Sequence, residues 1–181
     1  MRVTFERLPD FVRGHTVIER DDGVVYHLGG LYGRPELPHD LVHYTVEDAL
    51  DMPDGIWGAI AGGVVFGSMT HVSGRRPPHA AGKSKDLIRE HRDLLQRAEH
   101  LGGICERAAG TGEDVAERLR PAVTALHTMA ARWSALAVGE TLGLHWPRYR
   151  TIRSAAPTPG PTARPGRPRS RRGRTSARPT S

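Results

Sequence analysis

Leu37-Pro38-His39-Asp40-Leu41-Val42-His43-Tyr44-Thr45-Val46-Glu47 is the stretch on which the reading of the fold turns. Pro38 suits the first position of a helix, and Asp40 suits its positive N-terminal end. Val42, Val46, Ala49 and Leu50 fall on one apolar stripe of a helix spanning about 38–52. His39 and His43 lie at the edge of that stripe, Glu47 lies further out, and Tyr44, Asp48 and Asp51 point away. Pro53-Asp54-Gly55 stops the helix. An apolar stripe needs a covering surface, and the preceding residues offer one.

Val3 and Phe5 alternate with Thr4 and Glu6, as in a half-buried strand. Residues 15–20 and 24–28 repeat the pattern, with Asp21-Asp22-Gly23 between them as a hairpin turn. The expected unit is a three-stranded antiparallel meander packed on the 38–52 helix, giving an α+β fold. The run Gly55 to Gly67 has no Lys after its glycines and no GxGxxG order, so it reads as a buried, turn-rich connector. Residues 70–82 read as a loop.

From Ser84, a candidate cap, apolar positions recur at Leu87, His91, Leu94, Ala98, Leu101, Cys105 and Ala108. Gly110-Thr111-Gly112 interrupts them, Thr111 and Asp114 resemble a capping box, and Val115, Leu119, Ala122, Leu126, Met129, Trp133 and Leu136 continue the spacing. Two such helices form an αα-hairpin, with Pro121 kinking the second or marking its true start. Gly102-Gly103 weakens the first, at about 1 kcal/mol per glycine relative to alanine. The expected layout is therefore sheet, helix and connector over 1–82, helical hairpin over 83–147, and disordered tail over 148–181.

Charge divides along the same line. Residues 1–147 hold 16 Lys+Arg and 20 Asp+Glu, whereas residues 148–181 hold 10 Arg and no acid. The high isoelectric point thus belongs to the Arg/Pro-rich tail, and the mildly acidic body does not read as a nucleic-acid-binding domain. Beyond Tyr149 the tail has no aromatic residue, so weak, sequence-blind nucleic-acid contact is the most it supports. The single cysteine, Cys105, excludes an internal disulfide and a cysteine-based zinc cluster, and its place on the stripe makes it a buried small hydrophobe. The charged N-terminus and the shortness of the Gly55–Gly67 apolar run suit a soluble, cytoplasmic protein without a membrane segment.

His39 and His43 are one helical turn apart, the spacing of the zinc ligands in an HExxH helix. Here Asp40 stands where that motif has its general-base Glu, one methylene shorter in reach. Glu47 is the candidate third ligand on the same helix, and His71 or His79 could approach from the following loop. The alternative is that both imidazoles border the core and hydrogen-bond nearby backbone. No cofactor is expected on that alternative; zinc is the one the spacing allows. The pair His15/His27 shows no such spacing.

Leu37 to Glu47 also resembles a segment of small uncharacterised proteins of high-GC bacteria. In these a strand-rich N-terminus, this helix and a charged helical C-terminal part occur together. The resemblance covers about residues 1–110 and implies an architecture but no activity. The expected function is that of a non-catalytic interaction or regulatory protein, self-associating or meeting a protein partner through the helical hairpin, whose edges Ile88 and Leu95 a lone hairpin leaves uncovered. The alternatives are a zinc-dependent hydrolase built on His39, Asp40 and His43, and a nucleic-acid accessory protein acting through the tail.

Overall fold

Period-two alternation becomes strand where one side chain in two finds a core. In the computed structural model, which describes residues 1–9, 15–29, 37–147 and 150–152, this gives β1 (Arg2–Glu6), β2 (His15–Glu19) and β3 (Val25–Gly29). Val3, Phe5, Ile18, Tyr26 and Leu28 are buried on one face. Gly23, at φ +79°, turns β2 into β3, and the Asp22 carboxylate accepts the Val24 N–H at 3.2 Å.

The fold is α+β, and among the described residues the sheet has five strands instead of three. Their order is β4-β3-β2-β1-β5, and every pairing is antiparallel. β4 (Met69–Ser73) lies in the expected 70–82 loop, and only its Met69 is buried, so it carries no alternation to read. β5 (Thr141–His145) follows the helices and returns to β1, with Leu142 opposite Phe5 and Leu144 opposite Val3.

The helix α1 (His39–Ala49) is where the histidine stretch places it, with the Pro38 carbonyl accepting the Leu41 and Val42 N–H groups. It is not one-sided: every residue from Leu41 to Glu47 is buried, because α1 packs against α4 and α5 and shares a core with the sheet through contacts such as Tyr44 on Phe5. Tyr44, expected to point outward, packs edge-on against Phe5, Trp57 and Trp146 with ring centroids 6.2, 5.5 and 5.4 Å away.

The connector contains a second helix, α2 (Ile56–Gly62), ended by Gly63 at φ +112°. Its glycines allow close approach: a Cβ on Gly58 would collide with the Pro53 carbonyl. The stripe expected to run unbroken from Ser84 is two helices, α3 (Ala80–Glu90) and α4 (Arg92–Thr111), broken at His91. Ser84 is therefore inside α3, not its cap. Its hydroxyl accepts the Val65 N–H at 2.9 Å and donates to the Val65 carbonyl at 3.2 Å. Thr111 closes α4 and forms no capping box with Asp114; its hydroxyl donates to the Arg107 carbonyl. After a 3-10 turn at Glu117–Leu119 comes α5 (Arg120–Ser134), with Pro121 in its first turn.

The apolar stripes of α4 and α5 end up inside the chain. Ala98, Leu101 and Cys105 of α4 and Ala122, Leu126, Met129 and Trp133 of α5 share one core with α1 and the sheet. Of the two edges that motivated self-association, Leu95 is buried in a second cluster with Ala59, Val64, Leu87 and Ile152, and Ile88 packs against the same cluster while remaining half-buried. The packed chain also runs beyond the expected boundary at 148. Arg150 bonds to Asp48 and Asp51, and the Ile152 N–H donates to the Gly58 carbonyl. Residues 153–181, which carry the rest of the Arg-rich tail, lie outside the described residues. No helix among the described residues is long and apolar enough to cross a membrane.

Candidate metal centre

One turn of α1 separates His39 from His43, and the fold gives the two opposite surroundings. His39 is exposed and His43 is 4 % exposed, with their rings edge to face and 4.5 Å apart. The residue that completes the cluster comes from α4. His43 Nε2 lies 3.2 Å from the Glu99 carboxylate. One ligand atom from each of His39, His43 and Glu99 falls within 4.8 Å of the others, an arrangement that could hold a metal ion.

α4 comes this close because Gly102, one turn beyond Glu99, has no side chain. A Cβ there would stand 2.7 Å from His43 Cε1. The glycine that weakens α4 as a helix is thus the seat of the buried imidazole. Glu99 was missed in the sequence because its partners lie on another element. The available signal was its place one turn after Leu95 and next to Ala98, at the exposed edge of the buried stripe of its own helix.

Glu47 does not join the cluster as the third ligand. Its two carboxylate oxygens accept the Ile56 and Trp57 N–H groups, both at 2.9 Å, at the start of α2. Gly55 makes room, since a Cβ there would overlap the Glu47 carboxyl. Burial pushes the Glu47 carboxyl up to about 8; the Trp57 and Ile56 N–H groups pull the other way, and the Glu99 and Asp54 charges add to the rise. Glu47 nevertheless stands behind His43, 3.9 Å from Nδ1, and that nitrogen is buried with no hydrogen-bond partner. Asp40 holds the matching place beside His39, 4.0 Å from its Nδ1. Asp40 first, then Glu99 and Glu106, hold the His39 imidazole above its ordinary value against the opposing effect of burial. Glu99 is held below its ordinary value, chiefly by its bond to His43.

His71 and His79 stay apart from this group. His71 Nε2 is bonded to the Gly74 carbonyl, and His79 precedes α3 at φ +57°. The His15/His27 pair, without logic in the sequence, does meet: cross-strand register puts the rings 4.3 Å apart, with His15 Nδ1 2.9 Å from Glu6. Cys105 is buried, and desolvation raises its thiol, the opposite of what a nucleophile needs.

The His39–His43–Glu99 cluster forms one side of a cavity of about 230 Å³. Leu28, Ile56, Trp57, Ile60 and Phe66 make its apolar walls, and Asp40 and Ser68 add polar groups. Comparison of the chain with protein-family models, curated proteins and solved structures returned no match.

Proposed function

We propose that the chain is a zinc-dependent hydrolase whose metal is held by His39, His43 and Glu99. The observation that carries this reading is the convergence of two imidazoles and a carboxylate from two helices along one side of a largely apolar cavity. Two histidines and a glutamate are the donor set of one class of catalytic zinc site, which leaves a coordination position open. The surrounding carboxyl groups fit the same reading. Asp40 and Glu47 each face the Nδ1 side of one histidine, the usual place of groups that orient metal-bound imidazoles and leave Nε2 for the ion. When bound, zinc supplies Lewis acidity and lowers the pKa of its water. Asp40, on the cavity wall, is placed to orient His39 and to take up a proton.

Zinc content measured after loading and exhaustive dialysis tests the site. We expect one zinc per chain, lost in His39→Ala and in Glu99→Gln. Both residues are exposed, so neither substitution empties the core. A cobalt(II)-loaded sample should show the visible absorption of a four-coordinate site. Zinc-free protein after loading, or zinc retained in both variants, overturns the assignment. Selective retention of iron(II) would move the site to the oxygen chemistry that the same donor set also supports.

A further inference from the structure

Resting on that zinc assignment, we propose that the cavity takes small, neutral carboxylic esters with a short apolar acyl chain. Size is the first argument. Sites for drug-sized ligands run from about 300 to 1,000 Å³, whereas this cavity measures about 230 Å³. Its walls are the side chains of Leu28, Ile56, Trp57, Ile60 and Phe66, which match a hydrocarbon chain and offer it no hydrogen bonds.

Charge is the second argument. The charged side chains among the described lining residues are carboxylates, Asp40 and Glu99, with neither Lys nor Arg beside them. With Glu99 engaged by the metal, the ion itself is the positive group that a phosphate or carboxylate substrate would meet. The part of such an anion lying beyond the ion would face Asp40 with neither Lys nor Arg among the described lining residues. The indole N–H of Trp57 is already given to the Asp40 backbone carbonyl at 3.2 Å. A neutral carbonyl group avoids that repulsion. The reaction needs only water. Water adds to the carbonyl carbon, the bond from that carbon to the alcohol oxygen breaks, and the water's proton ends on the departing alcohol, with no electron transfer.

The test uses the zinc-loaded full chain and a series of p-nitrophenyl esters from acetate to octanoate, with p-nitrophenyl phosphate alongside. We expect kcat/KM to peak at a short acyl chain and fall at least tenfold by octanoate, with the phosphate ester inert. Phe66→Ala, which widens the cavity, should move the optimum to longer chains. Zinc content is measured on the same samples. A chain that binds zinc yet prefers the phosphate, shows no chain-length optimum, or hydrolyses none of the esters overturns the substrate proposal and leaves the metal site standing. A chain that binds no zinc overturns both.

Discussion

A Cβ built on Gly102 would stand 2.7 Å from Cε1 of His43 and 3.1 Å from its Nδ1, so one methyl group is enough to displace the imidazole. Gly102→Ala therefore acts in two directions. Alanine favours the helix by about 1 kcal/mol, while the ring is pushed off its seat. Zinc affinity should fall about ten- to a hundredfold, as for other losses of ligand-orienting contacts, with the helical content of α4 intact. Competition titration against a chromophoric chelator, read beside circular dichroism, checks this, and unchanged affinity would count against His43 as a ligand. Glu47 makes a separate prediction. Its carboxyl keeps a proton to about 8 in the folded chain but loses it near 4.5 when unfolded. Between those values the folded state holds more protons, so this stabilisation is complete at the acidic end and declines as pH rises through about 8. The decline should amount to a few kcal/mol. Urea denaturation of chelator-treated wild type and Glu47→Gln at about pH 5 and about pH 9 isolates it. The variant should lack the decline, and parallel behaviour of the two proteins would assign it to other groups.

At the scale of elements, the link between α2 and α3 depends on one hydroxyl. Ser84 is buried in α3 and satisfies both backbone groups of Val65, the residue that leads toward β4. Ser84→Ala keeps the helix and leaves that N–H and carbonyl without these partners. The expected cost is about 1–3 kcal/mol, the penalty for polar groups left unsatisfied. Hydrogen exchange should locate the loss at residues 64–66 first, and a chemical-denaturation midpoint equal to that of wild type would show that water replaces the hydroxyl. α1 shows why such small contacts matter here. It is buried along its whole middle, so its neighbours fix its rotation and with it the positions of His39 and His43.

For the whole molecule, the C-terminal end of the described chain belongs to the core. Ile152 is 5 % exposed beside Ala59, Val64, Leu87 and Leu95, Trp146 is fully buried against Tyr44, and Arg150 bonds to the end of α1. Truncation after residue 147 should lower the melting temperature relative to truncation after residue 152. Ile152→Ala should account for about 2–4 kcal/mol of the difference. Equal melting curves for the two truncations would show that residues 150–152 add nothing to stability.

Local chemistry decided what was legible in the sequence. The alternation at Val3/Phe5 reads as a strand and the Asp22-Gly23 turn as a hairpin between its two neighbouring strands, and the 3.6-residue period puts His39 and His43 on one side of a helix whatever surrounds it. Cys105 and Pro121 were legible for the same reason: an apolar stripe buries a thiol, and a fixed φ starts a helix. Tertiary structure decided the rest, because those residues meet partners that no local period connects. β5 is a strand by pairing with β1, and His15 meets His27 by cross-strand register. Glu99 enters the candidate centre because Gly102 lets α4 approach α1, and Glu47 leaves it because two N–H groups of α2 hold its carboxyl more closely than His43 does. A helix's period sets which residues share a face; packing against other segments sets what that face meets.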